Sequence, residues 1–139
     1  MQHYLRKGKP VWLKLPYGDF TITEEMQQNH ELVLIAGGTG VAPYIPFLEE
    51  LIAKGQTPNP IAFYYGIRNE NHLLFREKIK ECMERVQDFK FTLWVETPKI
   101  EDQTLQWQWN TGAISIDRII QETKDYTTPL YFLSGPPAM

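Results

Sequence analysis

Between residues 32 and 133 short apolar runs alternate with stretches of helical period, and this alternation restricts the chain to few architectures. Residues 32–36, 61–65, 91–95 and 130–133 are runs of four or five aliphatic, aromatic and β-branched side chains, which is how strands covered on both faces read. Between them, residues 41–53 place Val41, Tyr44, Ile45, Leu48, Leu51 and Ile52 at helical spacing and stop near Gly55. Residues 71–86 do the same with Leu74, Ile79, Met83 and Val86 turned inward, and residues 115–122 with Ile116, Ile119 and Ile120. Strands separated by helices predict βαβ units and a parallel sheet. Residues 97–112 have no clear period and form the longest irregular connection.

Composition narrows the function classes. A chain of 139 residues, 42% apolar and 22% charged, is sized for one domain with its own core. With 14 basic against 17 acidic residues and no long like-charge run, it lacks the footprint of a nucleic-acid binder. The single Cys82 forms no internal disulfide, and no CxxC pair or Cys/His cluster has metal-ligand spacing, so no metal site is expected and a reducing compartment is. The longest apolar run has five residues, whereas a bilayer span takes about 20. The opening MQHYLRKGKP has no signal core. The expectation is a cytoplasmic piece of chain without membrane contact.

Two loops carry the chemistry. In ELVLIAGGTGVAPYIP, which starts at Glu31, Gly37, Gly38 and Gly40 fall where a buried strand gives way to a helix. Glycines there permit positive φ and let a ligand approach the backbone, while the free N–H groups of the following helix suit a pyrophosphate. Pro43 is expected in the first turn of that helix, where a missing N–H leaves no bond unmade. It stands where a dinucleotide fingerprint has a third glycine for close helix packing, so a different crossing is expected. SGPPAM follows the last strand. In open parallel sheets ligands lie beyond the carboxyl ends of the strands, so both loops can face one crevice. Read singly, the first motif is also compatible with a tight structural turn and the second with a strand stop.

Taken together, GGTGVAP, YYGIRNENHLLFREKI, TGAIS and YFLSGPPAM, in that order over residues 31–139, resemble the nicotinamide-nucleotide-binding domain of the ferredoxin–NADP reductase superfamily. The resemblance implies a three-layer, Rossmann-like open parallel sheet that binds NAD(P)H and works with FAD. It implies that Gly37, Gly38, Thr39, Gly40, Val41 and Pro43 line the pyrophosphate and nicotinamide side, and that Tyr65, Gly66 and Arg68 lie near the adenosine ribose. Ser134, Gly135, Pro136 and Pro137 would border nicotinamide and flavin. Ser134 would be closest to hydride transfer, at a position where the family usually has cysteine. LPYGDF resembles the close of the family's flavin-binding barrel, with Leu15 where glycine is common. Residues 1–22 are therefore expected to be the tail of that barrel and residues 23–139 a nucleotide domain incomplete at its C-terminus. The flavin-stacking motif of the family is absent from the sequence, so the expected activity belongs to a longer protein: hydride transfer from NAD(P)H to FAD, then electrons to an acceptor the sequence does not name.

Alternatives stay open at this point. The chain is also compatible with a non-catalytic nucleotide-binding regulatory domain, or with the soluble domain of a membrane ferric reductase or NADPH oxidase-like protein. Arg68 favours a 2′-phosphate and Glu70 a hydroxyl, or Glu70 caps the next helix. His3, His30 and His72 are expected at the surface and Cys82 as a buried structural thiol, while Trp107 and Trp109 fit a partner surface, part of a strand or, as the safer choice, packing against the sheet edge.

Overall fold

The computed structural model describes residues 8, 10, 20–98, 107 and 109–136. Five strands, β1 (Leu32–Gly37), β2 (Ile61–Ile67), β3 (Phe89–Val95), β4 (Trp109–Thr111) and β5 (Leu130–Ser134), form one sheet in the order β4-β3-β2-β1-β5. Every neighbouring pair is parallel, as the βαβ pattern requires. Four strands lie where the apolar runs place them. The fifth, β4, falls in the aperiodic stretch. It pairs Trp109, Asn110 and Thr111 with Leu93, Trp94 and Val95, and three residues are too few to show a period. Residues 1–7 and 11–19, where the barrel tail was expected, lie outside the described residues.

Four α-helices accompany the sheet: α1 (Glu24–Asn29), α2 (Ile45–Lys54), α3 (Arg76–Arg85) and α4 (Ile116–Glu122). The periodicity does not predict α1. Its start is nonetheless written in the sequence, because Thr23 accepts from the Met26 N–H at 3.3 Å and Glu24 and Glu25 occupy the positive end.

The other expected helices differ in detail. The first divides in two: Gly38–Tyr44 winds as a 3₁₀ helix and α2 begins only at Ile45. Pro43 thus lies inside the 3₁₀ segment rather than opening an α-helix, and Pro46 takes the early α position. Gly38 and Gly40 are poor α-formers and Pro43 removes a donor, so this stretch takes the tighter winding. The second also divides, into a 3₁₀ turn at Glu70–His72 and α3, with Phe75 at φ +54° between them. That break turns Leu74 outward, and Met83, Ile116 and Ile120 are exposed as well, while Ile79, Val86 and Ile119 are buried as expected.

Helices cover both faces of the sheet. On one, α2 and α3 bury Leu48, Leu51, Ile79 and Cys82 against Leu34, Phe63 and Leu93. On the other, Ile119 of α4 packs on Val33, Ile35, Ala62 and Tyr64. Each such full burial contributes about 1.5–3 kcal/mol relative to exposure. Cys82 is fully buried and its thiol is pushed up to about 12 by burial, which makes it the inert core thiol its helix position suggests. Trp107 stacks edge-on against Phe91 with ring centroids 5.3 Å apart, at the sheet edge as expected.

The start of the sheet is fastened by Glu31. Its carboxylate accepts from the backbone N–H groups of Thr127 (3.0 Å) and Thr128 (2.9 Å), and its carbonyl accepts from Leu130 N–H at 2.8 Å, so β5 is registered against β1. The two amides favour the ionised form and lower the Glu31 pKa from 4.5 to about 2. A depressed folded-state pKa gives stability that is complete above the unfolded value and disappears as pH falls through the folded one. Glu31→Gln is therefore expected to melt below the parent near neutral pH, with a gap that closes between about pH 4.5 and 2. Thermal melts at several pH values check this; a gap independent of pH refutes it.

Candidate functional site

The site is built from strand ends. Gly37 at the end of β1 is opposite Gly66 of β2, and Ser134 at the end of β5 is opposite Ala36. The pairing continues one step past the strands: Glu96 N–H donates to Ile67 O at 3.0 Å, Thr97 N–H to Arg68 O at 2.9 Å, and Gly112 N–H to Val95 O at 2.9 Å. All five strands thus finish at one level, and the loops that leave them form a common rim. Chain direction across the sheet reverses between β1 and β5, which is the switch point where open α/β sheets bind ligands.

Two adjoining clefts occupy this rim. One, about 480 Å³, is lined by Gly37, Gly38, Gly66, Arg68, Glu96, Ile114 and Pro136 among others. The second, about 640 Å³, lies between Gly37, Gly38, Thr39, Gly40 and Pro43 on one side and Ser134, Gly135 and Pro136 on the other. Gly37, Gly38 and Pro136 belong to both, so the clefts meet at the glycine pair.

The glycines have separate duties. Gly38 has φ +52° with nothing within 4 Å of where a Cβ would stand, so it is needed for conformation. Gly40 is needed for space: a Cβ there would strike the Ser134 carbonyl and stand 2.7 Å from Gly135 Cα. The close approach that a third fingerprint glycine provides is made here by Gly40, against the end of β5. This contact holds the two motif loops together. At Gly66 a Cβ would meet the Ile114 side chain at 2.8 Å, which keeps the floor of the first cleft flat.

Two expected site residues are not on the surface. Val41 and Tyr65 are fully buried and line neither cleft. Val41 packs in the core under the loop, and the Tyr65 hydroxyl donates to Gly38 O at 2.9 Å from below. Burial raises the Tyr65 pKa. Tyr44 acts similarly, its buried hydroxyl reaching the carbonyls of Ile35 (3.0 Å) and Phe132 (2.9 Å) and so tying β1 to β5 one step beneath the loops. Pro137 lies outside the described residues. Ser134 is half-buried in the second cleft.

Sequence reasoning missed Glu96 and Thr97, and singled out Gly112 only as part of the TGAIS motif, without a role. Glu96 shares the first cleft with Arg68, and Thr97 pins the Arg68 carbonyl twice, through N–H and Oγ1, each at 2.9 Å. For Glu96 and Thr97 the signal was the end of a buried strand, the same cue that located the first glycines. Glu70 does not line either cleft and is buried in the turn before α3. Among the described residues no group of His, Cys, Asp or Glu is arranged to hold a metal ion. His30 bonds the distant Thr128 O at 3.0 Å and His72 the nearby Asn69 Oδ1 at 2.8 Å.

An open parallel sheet with a glycine-rich loop and facing strand ends at its switch point is the arrangement of a nucleotide-binding domain. The chain belongs to the oxidoreductase NAD-binding domain family, whose model matches residues 34–139. It is 28% identical over 143 residues to the anthranilate 1,2-dioxygenase electron transfer component of Acinetobacter baylyi, covering all of this chain and 39% of that protein. To one of the subunits of the Na(+)-translocating NADH-quinone reductase of Idiomarina loihiensis it is 27% identical over 138 residues, 97% of this chain and 32% of that one. Among solved structures, the flavohemoglobin of Malassezia yamatoensis, with bound FAD and heme, superposes with a TM-score of 0.64 at 26% identity, over 88% of this chain and 29% of that one. The chain thus spans about a third of the length of the curated relatives it matches.

The division of labour between the glycines is testable by chemical denaturation. Gly40→Ala forces the β1 and β5 loops apart and is expected to cost about 3 kcal/mol or more, because backbone rather than a flexible side chain must move. Gly38→Ala meets open space and is expected to cost about 1 kcal/mol of backbone strain. Equal costs, or a larger one at Gly38, would contradict the assignment.

Proposed function

We propose that this chain is the nucleotide-binding part of a flavin-dependent NADH oxidoreductase. The observation that carries the proposal is the pair of clefts joined at Gly37 and Gly38, because a dinucleotide is itself two nucleosides joined at a pyrophosphate. The pyrophosphate lies over the glycine loop, where Gly38 puts no Cβ in its way. The adenosine half occupies the cleft with Gly66, Arg68 and Glu96, and the nicotinamide half the cleft with Thr39, Pro43, Ser134 and Gly135. FAD, held by a part of the protein outside this domain, would supply the chemistry of accepting a hydride. The task of this chain is to orient nicotinamide against that acceptor beside Ser134. Electrons then pass to a further acceptor, as the electron-transfer and quinone-reductase names of the relatives suggest for those proteins.

The preference for NADH rests on Glu96. A carboxylate beside the ribose accepts from the 2′-hydroxyl and repels a 2′-phosphate, whereas arginine alone favours the phosphate. Glu96 stands in the same cleft as Arg68, and one relative is named as an NADH enzyme. Among the described residues no helix is long and apolar enough to cross a membrane.

Calorimetric titration of the chain with 5′-AMP and 2′,5′-ADP tests both parts. The expected result is that 5′-AMP binds at least as tightly, and that Glu96→Ala shifts the preference toward 2′,5′-ADP. If 2′,5′-ADP binds the parent tenfold tighter, about 1.4 kcal/mol, the donor is NADPH. Failure of both to bind overturns the nucleotide reading.

A further inference from the structure

The anion-facing surface of the glycine loop is made of backbone, and a peptide group has two ends of opposite sign. In a trans peptide the carbonyl of one residue and the N–H of the next point in opposite directions. Whichever way the Gly38–Thr39 peptide turns, it therefore offers the cleft either a donor or an acceptor. Gly38, at φ +52° with nothing within 4 Å of where a Cβ would stand, has no side chain to fix that choice.

Tyr65 makes the choice. Its hydroxyl donates to Gly38 O at 2.9 Å from beneath, which holds the carbonyl inward and turns the Thr39 N–H outward, on the side where Thr39 lines the second cleft. The ring is fully buried and stacked parallel to Phe63 at 6.3 Å, so the hydroxyl cannot swing away. Its other contact fixes it further: Leu74 N–H approaches the oxygen at 3.5 Å, from the turn that Phe75 closes at φ +54°. A non-glycine residue in that conformation costs about 1–3 kcal/mol and persists only where its surroundings hold it. One hydroxyl thus accepts from the turn before α3 and donates to the loop after β1.

We infer that Tyr65 is a positioning residue which sets the polarity of the glycine loop, so that a pyrophosphate meets N–H groups rather than carbonyl oxygens. The inference rests on the nucleotide reading above and deepens it by moving Tyr65 from the adenosine side, where the resemblance put it, to the floor under the phosphates.

Tyr65→Phe removes the hydroxyl and keeps the ring in its stack. Binding of ADP-ribose, which carries the pyrophosphate, and of adenosine, which has no phosphate, is followed by NMR titration in parent and variant. The expected result is that ADP-ribose weakens about five- to tenfold, the scale of one buried hydrogen bond, while adenosine changes less than twofold and the Thr39 amide resonance of the free chain moves. An equal loss for both ligands would mean that Tyr65 touches adenosine or supports the fold in general, and would overturn the inference. So would unchanged ADP-ribose binding, or a lower melting temperature with the ratio of the two affinities preserved. A parent chain that binds neither ligand removes the nucleotide reading, and the inference falls with it.

Discussion

Everything at the candidate site depends on the in-register parallel pairing of the strands. Leu32 is opposite both Ile61 and Leu130, so β1, β2 and β5 start together, and Glu31 locks that start through the amides of Thr127 and Thr128. Strands that start level and run parallel also finish level. A slip of one residue would exchange the two buried faces, sending Leu34 and Phe63 toward α4 and Val33 and Tyr64 toward α2 and α3, so the different packing on each face enforces the register. The rim where Gly37, Gly66 and Ser134 meet is a consequence of packing at the opposite end of the sheet.

Above that rim the site is mostly main chain. The clefts hold few charged side chains, Arg68 and Glu96 among them, and their walls are glycine loops and strand ends. A backbone surface gives close approach to a ligand but leaves the orientation of each peptide to be decided from below. Two buried tyrosines do so. Tyr44 ties the carbonyls of Ile35 and Phe132, and Tyr65 holds that of Gly38. Burial raises the pKa of both, so both remain protonated donors at neutral pH.

The division of a dinucleotide between two clefts fits the membership in the oxidoreductase NAD-binding family and the likeness to electron-transfer flavoproteins. It also explains how one domain serves many such proteins. On the proposed reading the nucleotide would be bound by features the fold itself provides, and the acceptor met elsewhere. Specificity would then rest on a few side chains at the rim, here an arginine and a carboxylate whose preferences at a ribose oppose each other.

The sequence by itself determined the parallel sheet, four of its strands, the motif loops and the inert Cys82, because each is written in a local pattern: an apolar run, a glycine string, or a helical position among apolar neighbours. Thr23 and the acidic turn behind it wrote α1 just as locally, but six residues are too few for the period to reveal. Tertiary structure alone decided the rest. The strand β4 exists because Trp109 finds Leu93; three residues carry no period of their own. That Gly40, and not the position of Pro43, makes the close approach follows from where β5 returns beside β1. Glu96 enters the cleft, and Glu70 does not, because register places the end of β3 beside Arg68. Tyr65 reads in sequence as a cleft residue and becomes its support because strand alternation turns it inward. Period and composition report what a residue prefers, while contacts between distant segments decide which neighbours it receives.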